Sequence, residues 1–192
     1  MNSRRLYSLF WAIVLSMLAI INVDAGPGPD EARAILHKAI GLYTGTSGSQ
    51  DHAAAKELFL EAAEAGDPLA QMWAAMFYRT GECGFDQNEA LSNKTAKSTM
   101  DQIGSLAEHG DLEAAFLLGA AFYYGLGVAR DGSKAVEWYL KAAKGGHAEA
   151  MRRLGHIYER KKCGFEVNDE TSLRWYLKAA EAGHAYAMAV VA

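Results

Sequence analysis

Proline is scarce in this chain, with 3 among 192 residues, and cysteine scarcer still, with 2. Few prolines leave long stretches free to run as unbroken helix. Two cysteines exclude a scaffold built on disulfides, and the lack of any C-x-x-C or H-E-x-x-H pattern removes the usual zinc and redox arrangements. Basic charge is not in excess: 19 Lys and Arg stand against 23 Asp and Glu, a net charge of −4 at pH 7. An acidic chain without a basic cluster carries no electrostatic footprint for nucleic acid. Catalytic signatures are missing as well, with no G-x-S-x-G and no S-x-x-K. Gly125-Leu126-Gly127 begins a dinucleotide fingerprint but Arg130 fills the place of its third glycine, so it is read as a turn. Of the six histidines, His147 and His184 occupy equivalent turn positions, while His37, His52 and His109 have no partner at ligand spacing. No metal, no cofactor and no catalytic residue is expected.

The first 25 residues are set apart by their pattern. Arg4 and Arg5 precede an apolar run from Leu6 to Ile21 and a small-residue site at Val23-Asp24-Ala25, the layout of a secretory signal peptide. The run is shorter than the roughly twenty residues that span a bilayer, and only if uncleaved would it tie the chain to a membrane. Residues 26–192 are expected to form one exported domain, periplasmic or secreted, one charge more acidic than the whole chain. In a eukaryotic secretory pathway Asn93-Lys94-Thr95 would be a glycosylation candidate.

Within that domain the chain repeats itself. WYLKAAKGGHAEA begins at Trp138 and WYLKAAEAGHAYA at Trp175, with looser copies LFLEAAEAGDPLA from Leu58 and QIGSLAEHGDLEA from Gln102. The glycines at a common place are Gly66, Gly110, Gly146 and Gly183, spaced 44, 36 and 37 residues apart, a period typical of helical solenoids. A second segment follows each glycine, in which Ala150, Leu154 and Tyr158 recur on one helical face. Each unit is therefore a pair of antiparallel helices that must stack on its neighbours to bury its apolar side. The glycine ends the second helix, Asp67 and Asp111 stand where the next helix needs an N-cap, and Pro68 opens that helix where its missing N–H does no harm.

From Ala114 to Ala150 these letters resemble the Sel1-like repeat, a relative of the tetratricopeptide repeat, whose pattern runs A-x-x-x-L-G-x-x-Y-x-x-G-x-G-V-x-x-D-x-x-x-A-x-x-W-Y-x-K-A-A-x-x-G-x-x-x-A. Leu154-Gly155, Tyr158 and Trp175-Tyr176 keep it in the next copy, where Lys162-Cys163-Gly164-Phe165 replaces the G-x-G-V turn. The copy before is worn, with Ala74-Ala75 for L-G and an insertion between Asp86 and Asp101; the first, from Glu31 to Ala65, shows mainly in Tyr43, Gly45, Asp51 and Ala55. The resemblance implies an all-α fold, an α-solenoid of about four helix pairs plus a C-terminal half-repeat from His184 to Ala192. That last segment reads either as a short helix lying on the last pair or as an open end that a partner covers. Cys83 and Cys163 hold the same loop position two repeats apart, too far for a disulfide if stacked helices lie about 8 to 10 Å apart.

A solenoid of this class binds on the concave side lined by the first helix of each pair. The positions there are Met72, Met76 and Arg79, then Phe116 and Tyr123, then Arg152, His156 and Glu159, a groove grading from methionine through aromatic to charged. Aromatic, methionine and arginine side chains are those enriched at protein interfaces, while Met72, Met76 and Phe116 at helical spacing equally fit packing between repeats. The resemblance implies a protein partner and no bond chemistry. Exported Sel1-like proteins of this size resemble immunity proteins that neutralise type VI phospholipase toxins, which is the specific expectation. An adaptor in envelope signalling or complex assembly is a second reading. A weak β-lactam-binding or hydrolysing enzyme is a third, which the missing S-x-x-K disfavours.

Overall fold

The computed structural model describes residues 26–160 and 162–192, so the leader expected over residues 1–25 lies outside them. Among the described residues there are nine α-helices and no strand: α1 Pro29–Thr44, α2 His52–Glu64, α3 Pro68–Thr80, α4 Glu89–Glu108, α5 Leu112–Tyr124, α6 Gly132–Lys144, α7 Ala148–Glu159, α8 Asp169–Glu181 and α9 Ala185–Val191. A 3-10 turn, Glu82–Gly84, joins α3 to α4. Pairs form as α1 with α2, α3 with α4, α5 with α6 and α7 with α8, and each second helix also packs on the first helix of the next pair. The last helix, α9, lies on α8 without a mate. This is the solenoid of four pairs and a half-repeat. No described helix is long and apolar enough to cross a membrane.

The joints work as their residue types require. Gly66 and Gly110 sit at φ +89° and +91°, where a Cβ is disfavoured. The carboxylates that follow then cap: Asp67 accepts the Ala70 N–H and Asp111 the Ala114 N–H, each at 2.9 Å. His147 fills the same place in the next unit, its Nδ1 accepting the Ala150 N–H at 3.1 Å. The second helices start on Asp51, Asn88, Asp131 and Asn168, each accepting one N–H from the first turn.

The worn second copy has a steric explanation. A Cβ built on Gly119 would lie 2.7 Å from the ring of Tyr139, and one on Gly155 would lie 3.0 Å from the ring of Tyr176. Glycine is thus the seat of the tyrosine that the following helix inserts. In α3 and α4 the matching residues are Ala75 and Ala96, both buried. Without a tyrosine ring, no glycine is needed. The insertion expected between Asp86 and Asp101 is helical: α4 has 20 residues where α6 has 13. Ser92, Ala96, Thr99, Ile103 and Ala107 form its buried stripe.

Cys83 and Cys163 are both free, and both adopt left-handed backbone, φ 56° and 57°. In the intervening repeat Gly127 takes that conformation at φ 67°. The cysteines therefore share one turn position, as their sequence setting implies, and each replaces a residue for which the position suits glycine.

Helices α3 and α5 lie at the centre of the molecule and pack on one another as well as on their partners. Every residue from Ala114 to Ala121 is buried, as are Leu69, Ala70 and the run from Met72 to Phe77. A helix apolar all round is enclosed on all sides. Tyr43, Phe59, Trp73 and Phe77 interlock here, with ring centroids 5.1 to 6.3 Å apart.

Candidate functional site

The enclosure of α3 and α5 corrects part of the expected groove. Met72, Met76 and Phe116 are fully buried and hold the repeats together instead of facing a partner. Phe116 stacks on His147 with centroids 4.7 Å apart and touches Trp73 and Tyr139. The physical reason is curvature, since contact between successive first helices leaves no open channel over the middle repeats. Arg79 is paired with Glu89. Tyr123 stands edge-on to Tyr124 and lines a separate hollow of about 270 Å³ beside Arg130 and Cys163. Farther along α7, His156 is half-buried and Glu159 accepts a hydrogen bond from the Tyr176 hydroxyl at 3.1 Å. The eight expected residues thus fall into a core group, a few rim positions and Arg152.

Arg152 belongs to a site that the repeat pattern did not reveal. The inner curve is tight enough to bring the two ends of the solenoid together: a Cβ built on Gly45, just after α1, would lie 2.5 Å from that of Ala185 in α9. Between these ends runs a chain of ion pairs. Glu149, at the second position of α7, accepts from Arg152 Nε at 2.7 Å and Nη2 at 2.6 Å, from Arg153 Nε at 2.7 Å, and bonds His184 Nε2 at 2.8 Å. Arg153 continues to Glu82 at 2.9 Å, in the 3-10 turn, and to the Tyr124 hydroxyl at 2.7 Å. The Tyr43 hydroxyl donates to Glu82 at 2.8 Å. Glu82 and Arg153 are 71 positions apart in sequence, so the network ties the second unit directly to the fourth.

Burial and charge act against each other throughout this network. Burial pushes the Glu149 carboxyl upward, but the charges of Arg152 and Arg153 outweigh it and hold the group well below the usual carboxylate range. Glu82 is likewise held down by Arg153 despite its burial. The Tyr43 hydroxyl is driven well above its ordinary value, by burial first and then by Glu149. Both carboxylates are thus ionised and both arginines charged at neutral pH.

A pocket of about 320 Å³ opens beside the chain, walled by Tyr43, His52, Glu82, Arg152, His184 and Tyr186, with Gln50, Cys83 and Glu149 completing it. Three elements from the first half of the chain and two from the last quarter contribute, namely the end of α1, the start of α2 and the 3-10 turn, with α7 and α9. The Tyr43 and His52 rings lie 5.5 Å apart, and the Arg152 guanidinium lies 5.5 Å from the Tyr186 ring. Arg33, near the start of α1, performs a related task, pairing with the cap Asp67 at 2.7 Å and reaching Asp111 at 3.7 Å. Among the described residues no group of three or more His, Cys, Asp or Glu is placed to hold a metal ion.

A family model matches the repeats. The Sel1 repeat model matches residues 38–67, 68–94, 112–147 and 148–184. Two curated relatives from Arabidopsis thaliana are the ERAD-associated E3 ubiquitin-protein ligase components HRD3B, 41% identical over 69 residues, and HRD3A, 40% identical over 81 residues. The matches take in 34% and 40% of this chain but only 11% and 12% of the relatives' own length. Among solved structures, a Sel1 repeat protein from Oxalobacter formigenes is 24% identical with a TM-score of 0.45, over 85% of this chain and 64% of that one. A protective antigen of uropathogenic Escherichia coli with an SLR fold is 27% identical with a TM-score of 0.43, over 84% and 40%. The immunity protein Pa5087 of Pseudomonas aeruginosa is 20% identical with a TM-score of 0.38, over 84% and 69%.

Proposed function

The chain belongs to the Sel1 repeat family, and from that premise we propose that it is an exported, non-catalytic solenoid that binds another protein on its inner curve. The observation that carries this reading is the pocket where the two ends of the solenoid meet, walled by tyrosine, arginine and histidine over a buried ion network. Rigid aromatic and arginine side chains around a concavity are what protein hot spots are made of. Nucleophilic chemistry finds little support there. Burial, with Glu82 beside it, pushes the Cys83 thiol up to about 12, which leaves no thiolate at neutral pH. The oxygens of Glu149 are all engaged by Arg152, Arg153 and His184.

In its specific form the proposal is a periplasmic immunity protein that occupies a secreted phospholipase toxin of the type VI class. A signal-like segment followed by a single acidic binding domain supports it. A second reading, an adaptor within a larger assembly, is favoured by the relatives named as components of a ubiquitin ligase complex. Affinity capture from the native host's envelope fraction tests both, comparing the natural chain with a Tyr186→Asp variant. One protein held by the first and lost by the second places recognition at the pocket rim, and a phospholipase inhibited in equal stoichiometry establishes the immunity role. Retention of nothing, or turnover of a chromogenic β-lactam by the natural chain, overturns the reading.

A further inference from the structure

The pocket carries information about what it receives, because its ion chain is not symmetric toward solvent. At one end stands Arg152, its guanidinium closed on Glu149 by two hydrogen bonds and lying under the Tyr186 ring, with a side chain 13% exposed. In the middle, Arg153 and Glu149 are 8% and 1% exposed. At the other end Glu82 is 37% exposed, the most accessible of the four charges in this network. Its Oε2 takes the bonds from Tyr43 and Arg153, whereas Oε1 has only a long contact of 3.4 Å to Arg153. The open end of the network is therefore a carboxylate oxygen with acceptor capacity to spare.

Its surroundings suit a cation with an apolar stem. Rings of Tyr43, His52 and Tyr186 line the walls, and aromatic faces attract guanidinium and ammonium groups. Lys56, a cation from α2, is occupied elsewhere, donating to the Gly84 carbonyl at 2.7 Å and lying over Phe85. The whole chain is acidic, at −4, which steers it toward basic surfaces. We infer that the pocket receives one arginine or lysine side chain of the bound protein, its cationic head at Glu82 Oε1 and its stem between Tyr43, His52 and Tyr186. The inference rests on the protein-binding reading and specifies the chemistry of its central contact. A volume of about 320 Å³ accommodates a single long side chain, not a helix.

The test is a titration of the isotope-labelled full chain, followed by NMR, with blocked single residues as probes: Nα-acetyl-arginine N-methylamide, its lysine and glutamate counterparts, and free arginine. Saturable shifts confined to the signals of Tyr43, His52, Glu82 and Tyr186 are expected with the blocked arginine and lysine, and roughly tenfold weaker binding with glutamate. Tyr186→Ala at the exposed rim leaves the melting temperature in place and weakens binding severalfold; Glu82→Gln abolishes it. Equal binding of glutamate, no saturable shift with any probe, or unchanged binding by both variants overturns the inference. Free arginine binding far more tightly than the blocked form also overturns it, since that marks a small-molecule site. A captured protein that neither variant releases, and that blocked arginine does not displace, leaves the protein-binding reading standing while this one falls.

Discussion

Glu113 and Glu149 occupy the same second position of α5 and α7, and each reaches the histidine at the N-cap position of the next first helix, His147 at 3.0 Å and His184 at 2.8 Å. They differ in what else they hold. Glu113, 15% exposed, takes one further bond, from Trp73 Nε1 at 2.7 Å. Glu149, 1% exposed, neutralises Arg152 and Arg153. Changing Glu149 to glutamine keeps the volume but leaves two buried guanidinium groups with the Glu82 charge alone between them, a loss of about 3 to 5 kcal/mol. The same change at Glu113 removes charge from bonds whose donors are an indole and an imidazole, a loss of about 1 kcal/mol. Urea unfolding followed by far-ultraviolet circular dichroism measures both, with an unchanged slope showing that the unfolded reference is the same. If the two variants fall within about 1 kcal/mol of each other, the energetic account of the network fails. The pH dependence gives a second check. Because the folded-state carboxyl of Glu149 is held below its unfolded value, its contribution is complete above about pH 4.5 and is lost as pH falls toward the folded value. The stability gap between the natural chain and Glu149→Gln should therefore narrow from pH 6 toward pH 3.

Three further outcomes follow from the packing. Gly119→Ala, which drives a methyl into the Tyr139 ring, should destabilise by about 1 to 3 kcal/mol, and in a Tyr139→Ala background should do little harm or help, as measured by a double-mutant cycle of urea midpoints; additivity would refute the pairing seen at Ala75 and Ala96. Tyr139→Phe should raise the melting temperature, since the buried Tyr139 hydroxyl has no hydrogen-bond partner and its removal relieves about 1 kcal/mol; a clear loss of stability would show that the hydroxyl is satisfied in solution. Cys163→Gly should stabilise by about 1 kcal/mol in a thermal melt, because the turn there is left-handed at φ 57°, and a fall in melting temperature would mean the thiol packs better than the backbone suffers.

The repeat architecture was legible because each unit announces its own joints. Glycine at Gly66 and Gly110, the caps Asp67 and Asp111, and the helix-spaced apolar rows are local signals, and stacking follows from them without knowledge of curvature. Curvature is what the repeat does not spell out. Met72, Met76 and Phe116 lie on the inner face, as their spacing says, yet whether that face is open depends on how closely α3 approaches α5. The apolar circumference of α5, from Ala114 to Ala121, was the available sign that it would be enclosed. The pocket was out of reach for a similar reason: Tyr43 and Tyr186 meet only because the small rotation at every joint adds up to closure. One local trace existed. Arg152 and Arg153 follow Glu149 at helical ion-pair spacing, and two adjacent arginines sharing one carboxylate call for a further acidic partner from beyond their own repeat, which Glu82 supplies to Arg153.

The long α4 has a consequence for how such arrays diverge. Its excess over α6, 20 residues against 13, amounts to nearly two full turns, so residues before and after the added length keep almost the same angular bearing, within about 20°. Ser92 near its start still donates to the Ala75 carbonyl, as Ser172 does to the Gly155 carbonyl in α8, while Ile103 and Ala107 near its end still point inward. A change of one residue would swing half of the stripe through about 100° and turn Ile103 out to water. Length in these second helices is therefore quantised: the array behaves as a gear that accepts whole teeth, so heptad-sized gains can pass through a lineage silently where a single-codon gain would be purged.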